Sequence, residues 1–128
     1  MNESLAKSRS HRRTYAALDL GTNNCRLLIA RPEGSGFRVV DAFSRIVRLG
    51  EGVAASGRLG EEAMARTLAA LRVCAGKMRR RGVDRDHCIA TQACRWAENG
   101  SDFLSRIEAE TGLGFEIVEA ETEAALAL

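Results

Sequence analysis

The chain has 128 residues, 45% of them hydrophobic and 28% charged, with 19 basic against 17 acidic side chains. That length suits one ordinary core, the slight net charge excludes a nucleic-acid footprint built on bulk electrostatics, and no apolar run nears the roughly 20 residues that cross a bilayer. A soluble domain that engages neither nucleic acid nor membrane is expected.

The charge is unevenly spread. Lys7, Arg9, Arg12 and Arg13 stand against Glu3 alone in the opening stretch, which leaves the remainder near neutral. That stretch has no apolar segment and so is not a secretory signal; its Ser/Arg content faintly resembles a transit peptide, and residues 1–13 read as a flexible basic tail. Cys25, Cys74, Cys88 and Cys94 form no Cys-x-x-Cys pair, and with only His11 and His87 beside them no zinc spacing can be assembled. Reduced, buried thiols in a cytoplasmic protein are expected, with Cys94 singled out because the neighbouring Arg95 could lower its pKa.

Thr14 to Leu20 is β-rich, Gly21 to Asn24 is turn-forming, and Cys25 to Arg31 is again apolar, so two strands joined by a tight turn follow. The turn Pro32-Glu33-Gly34-Ser35-Gly36 leads to a third strand pattern from Phe37 to Leu49, completing a meander. Glu51 to Gly60 reads as a loop. Met64, Leu68, Leu71, Ala75 and Met78 then recur at helical spacing, with Glu61 and Glu62 in the first turn and Gly82 placed to end the helix. Lys77, Arg79, Arg80 and Arg81 complement the helix dipole and read as a solvated helix end rather than a polyphosphate track.

His87 to Thr91 has the pattern of a short buried strand, Gln92 to Glu98 suits a helical turn, and Asn99-Gly100 signals a break. Ser101 can cap a helix carrying Phe103, Leu104 and Ile107 inward and ending at Gly112 or Gly114. Phe115 to Glu119 returns as a strand, and Glu121 to Leu128 begins a last helix. The order β-β-β-α-β-α-β-α predicts an α/β fold over 14–128: a mixed five-stranded sheet, a three-stranded meander followed by alternating elements, with helices on both faces.

Three segments could carry chemistry. In ALDLGTNNCRLLIA, Ala17 to Ala30, a buried strand delivers Asp19 to a turn whose Gly21, Thr22, Asn23 and Asn24 can turn backbone N–H groups and side-chain donors toward phosphate oxygens. An acid beside such a site makes sense with a divalent cation between, and Mg2+ binds through one or two carboxylates plus water and phosphate; read alone, the stretch is equally an ordinary hairpin. In IATQACRWAENGSDFL, Arg95 follows the carboxyl end of a strand, where α/β sheets hold ligands, although Glu98 could take it in a surface pair. Glu116, Glu119, Glu121 and Glu123 cluster at the last strand-to-helix junction, where one could serve as a general base and the rest favour a helix N-terminus.

Together these segments resemble, over residues 15–128, the exopolyphosphatase/guanosine pentaphosphate phosphohydrolase (Ppx/GppA) family. Asp19-Leu20-Gly21-Thr22-Asn23 matches its Asp-x-Gly-Ser/Thr-Asn loop, ATQACRWAEN its Ala-Thr-x-Ala-x-Arg-x-Ala-x-Asn segment, and TGLGFEIVEAETEAALAL its Thr-Gly to Glu-Glu-Ala-Arg-Leu stretch. The resemblance implies a ribonuclease-H-like N-terminal lobe of the actin/sugar-kinase/Hsp70-like fold. It implies release of terminal phosphate from polyphosphate or guanosine pentaphosphate, with Asp19 holding Mg2+, Gly21 to Asn24 cradling phosphate and Arg26 contacting the phosphate chain. Arg95 would neutralise charge and Glu123 would be the general base, with Glu121 as its rival.

Ala120, Thr122 and Ala125 depart from the family pattern, which keeps open a non-catalytic polyphosphate- or partner-binding relative; the lobe of a related sugar or acetate kinase is a further alternative. The family's second loop, of Asp-x-Gly-Gly-Gly-Ser type, does not occur in this sequence. A second lobe of the same protein, and with it a homodimer, are the partners implied, and the lobe alone is expected to be nearly inactive.

Overall fold

The computed structural model describes residues 13–119; the basic tail up to Arg12 and the helix expected over Glu121–Leu128 lie outside the described residues. Strands β1 (Tyr15–Leu20), β2 (Asn24–Glu33) and β3 (Gly36–Ile46) form the expected meander. Helices α1 (Val53–Ser56) and α2 (Glu61–Arg80) follow, then β4 (Arg85–Ala90), α3 (Gln92–Trp96), α4 (Gly100–Thr111) and β5 (Phe115–Ile117). The sheet order is β3-β2-β1-β4-β5. The meander pairs are antiparallel, whereas β1–β4 and β4–β5 are parallel.

Alternation within the strands decides the two faces. Ala16, Leu18 and Leu20 of β1, Cys25, Leu27 and Ile29 of β2, and Cys88 and Ala90 of β4 all point into the core. There they meet Met64, Leu68, Leu71, Ala75 and Met78 of α2 and Phe103 and Ile107 of α4, the side chains that the helical spacing selects. Ala17, Arg26, Leu28 and His87 lie on the opposite, exposed face, so the helices that pack on the sheet among the described residues cover one side. None of these helices is long and apolar enough to cross a membrane.

Boundaries moved where local signals competed with tertiary ones. β3 stops at Ile46, and Val47 and Leu49 leave the ladder to enter the core completely. The expected loop Glu51–Gly60 contains the single turn α1, bounded by Gly52 and Gly57, both left-handed. α4 starts one residue before Ser101: Asn99 occupies the cap position without a side-chain cap bond, and Ser101 is exposed. Gly100 is required there because a Cβ would lie 1.8 Å from the Cys94 carbonyl oxygen. Gly112, at φ 80°, ends α4 as its left-handed cap.

The basic end of α2 is occupied by structure. Lys77 and Arg81 reach Asp41 of β3 at 3.3 and 3.4 Å, so two of its four cations tie the helix to the sheet.

Candidate phosphate site

β1, β4 and β5 run parallel, so Leu20, Ala90 and Ile117 end at the same edge of the sheet, the edge where open α/β sheets hold ligands. Asp19, one residue before the end of β1, points away from the core face because Leu18 and Leu20 are buried on it. Its cross-strand neighbours are Arg26 and Ile89. Asp19 Oδ1 is fully enclosed and has no hydrogen-bond partner among the described residues. A carboxylate oxygen left in that state is costly unless a donor or a cation completes it.

The β1–β2 turn is closed by one internal bond, from the Gly21 N–H to the Asn24 carbonyl at 2.9 Å. The N–H groups of Thr22 and Asn23 have no protein acceptor among the described residues, while the carbonyls of the same two residues are engaged. Asn23 accepts from the N–H of Val47 at 2.8 Å and of Arg48 at 3.0 Å, and Thr22 accepts from Gly50 at 3.0 Å. The segment that leaves β3 thus grips the turn by its acceptors and leaves these two donors unclaimed.

At Gly21 a Cβ would come no nearer than 3.6 Å to Asn24 O, which is ordinary contact. The tighter approach is at Gly50, where a Cβ would fall 2.3 Å from Thr22 Cγ2 and the Thr22 side chain would have to give. Gly50 escapes a reading of the turn because it lies far along the chain; the Leu-Gly-Glu-Gly run from Leu49 to Gly52 was its only signal.

Arg95 stands on α3, directly beyond β4, and α3 is tied to β1 through the Thr91 N–H, which donates to Leu20 O at 3.1 Å. Its carboxylate partner is Glu119, at 3.1 Å, not Glu98, which pairs with Arg58 at 3.3 Å. The end of β5 therefore delivers an acid to Arg95. Asn99, read from sequence as half of a turn signal, fastens the α3–α4 corner: its side chain accepts from Leu59 N–H at 2.8 Å and donates to Leu59 O at 3.1 Å.

Arg26 is exposed on the open face and, with Asp19, lines a concavity of about 760 Å3 beside Ala17, Leu28 and Ile89. Cys94 is not activated by Arg95: burial pushes its thiol up to about 12. Glu121 and Glu123 lie outside the described residues, so Asp19, the turn, Arg26 and Arg95 are the expected site groups described near this edge.

Residues 28–128 match the Ppx/GppA phosphatase family. The structure is similar to the Aquifex aeolicus Ppx/GppA family member, with 32% identity, a TM-score of 0.83, and coverage of 87% of this chain and 36% of that one. It is similar to an exopolyphosphatase-like protein, with 36% identity, a TM-score of 0.82, and coverage of 89% and 35%. An exopolyphosphatase from Cytophaga hutchinsonii shares 27% identity at a TM-score of 0.84, over 89% and 36%. The chain spans about a third of the length of these relatives, and in them it corresponds to one α/β lobe. With the family matched over most of its residues and the same lobe in solved members, the chain belongs to the Ppx/GppA phosphatase family.

Proposed function

We propose that this chain is the N-terminal lobe of a cytoplasmic, magnesium-dependent phosphoanhydride hydrolase that releases terminal phosphate from inorganic polyphosphate or guanosine pentaphosphate. The observation that carries the reading is the pairing of unclaimed donors with an unclaimed acceptor. Among the described residues the Thr22 and Asn23 N–H groups have no protein acceptor and Asp19 Oδ1 has no donor, at and just before one turn on the ligand edge of the sheet. A phosphate accepts from the first pair and a cation completes the second.

In this reading Thr22, Asn23 and Asn24 orient the terminal phosphoryl group, with Gly21 closing the turn beneath them. Asp19 is a hard oxygen donor suited to Mg2+, which bound there supplies positive charge against the phosphate oxygens. Arg26 and Arg95 bring further positive charge, as phosphoryl transfer demands stabilisation from several sides. Glu123 takes the proton of the attacking water, and Glu121 is its rival in sequence. The second lobe of the same protein closes the opposite side of the phosphates, and a homodimer is the assembly in which we place it.

The test uses the full-length protein with polyphosphate and Mg2+. Asp19→Asn is expected to abolish magnesium-dependent phosphate release, and Glu123→Gln to lower turnover by at least 100-fold. Turnover retained in Glu123→Gln removes Glu123 from the mechanism, and hydrolysis without need of Asp19 or magnesium removes the reading as a whole.

A further inference from the structure

We infer that Arg48 forms a second anion subsite, holding the penultimate phosphoryl group of a linear phosphoanhydride whose terminal group lies on the Gly21–Asn24 turn. The inference rests on the reading of that turn given above and adds to it the residue that distinguishes a phosphate chain from orthophosphate.

Arg48 has φ 50° and is the only non-glycine residue with a positive φ among the described residues. A side chain with a Cβ is disfavoured there, and glycine or asparagine is the ordinary occupant. The backbone is held in this state from both sides. The Arg48 N–H donates to Asn23 O at 3.0 Å, and the Arg48 carbonyl accepts from Glu51 N–H at 3.1 Å. Such strain persists where neighbouring structure imposes it, and it concentrates at ligand sites. Backbone geometry alone would be met better by glycine, so the backbone does not account for an arginine at this position.

The charges around Arg48 are arranged for an added anion. Arg48 is exposed, and its guanidinium is in none of the ion pairs among the described residues. The nearby acid, Glu51, is engaged by Arg66 at 2.6 Å, and the same Arg66 donates to Val47 O at 3.0 Å. Among the described residues Arg48 therefore remains the uncompensated cation of a groove of about 440 Å3 that it lines with Thr22, Asn23, Asn24, Gly50 and Glu51. The groove runs directly off the turn, and its three turn residues are the ones assigned to the terminal phosphate. A chain of phosphates seated at the turn meets Arg48 next, and a guanidinium offers a forked pair of donors to it.

The test measures binding of tripolyphosphate and of orthophosphate to the 128-residue chain in Mg2+ by calorimetry, with amide NMR shifts of Thr22 and Asn23 as a separate readout. Arg48→Gly is expected to weaken tripolyphosphate by roughly 10-fold or more, to leave orthophosphate within about twofold, and to melt at or above the wild-type temperature because glycine accepts the positive φ. Arg48→Lys keeps part of the tripolyphosphate affinity. Equal tripolyphosphate affinity in Arg48→Gly and wild type overturns the inference while leaving the turn intact as a phosphate site. An equal loss for both anions overturns it as well, because Arg48 then makes no distinction between them. Wild-type chain that binds neither anion, with Thr22 and Asn23 amides unmoved, overturns both this inference and the reading on which it rests.

Discussion

The Gly50 N–H donates to the Thr22 carbonyl at 3.0 Å, and the space above Gly50 is filled by the Thr22 methyl, 2.3 Å from where a Cβ would be. Gly50→Ala must therefore turn the Thr22 side chain to another rotamer or shift the β3 exit or the turn. A loss of about 1–3 kcal/mol is expected in urea denaturation, with tripolyphosphate affinity falling in parallel. Alanine tolerated without change in either would mean that Thr22 does not depend on this contact.

Asn99 and Leu59 form a two-bond clip across 40 residues of sequence. Asn99→Ala leaves a backbone donor and acceptor of Leu59 without partners, at an expected cost of about 2 kcal/mol. Hydrogen exchange at the Leu59 amide should accelerate strongly, and the α3–α4 corner that carries Arg95 should loosen with it. Asn99→Asp keeps the acceptor and loses the donor, so an intermediate effect is expected.

The Arg95–Glu119 pair is half exposed, with side-chain exposures of 42% and 66%, and such pairs contribute little to stability. Glu119→Gln should leave the melting temperature within about 2 °C. It should raise anion affinity severalfold, since the carboxylate competes with phosphate for the same guanidinium. Unchanged affinity measured by calorimetry would remove Arg95 from the anion site or Glu119 from competition for it.

Two carboxylates lie below the usual carboxylate range. Asp41 is lowered by the Ala42 N–H and by Lys77 and Arg81, and Glu110 by Arg106 and Arg72. Because the folded state favours their ionised forms, their contribution is fully present above the unfolded-state pKa of about 4. It is lost as pH falls through the lowered values. Asp41→Asn and Glu110→Gln should each flatten the acid limb of a stability-versus-pH curve and leave its shape near neutrality unchanged.

All four thiols are buried, and burial with a neighbouring Asp86 pushes Cys88 up to about 12, as burial alone does Cys94. Contact with Cys74 and burial raise the Cys25 thiol as well. In native buffer at pH 8 a thiol reagent should label none of them rapidly, and in urea it should label all four. Fast native labelling of Cys94 would restore the activating role first considered for Arg95.

The sequence by itself determined the meander, the α2 spacing, the inward side chains of α4 and the placement of Asp19 beside a turn. Each of these is written in short-range terms: alternation of period two, helical period near 3.6, and turn residues in runs of four or five. Tertiary structure alone decided how the turn is held and what stands around it. Gly50 under Thr22, Asn99 on Leu59, Glu119 rather than Glu98 on Arg95, and the left-handed Arg48 on Asn23 join residues 24 to 40 positions apart. No local pattern encodes such partners, because a hydrogen bond or a steric exclusion acts only once the sheet order has brought the two backbones within a few ångströms.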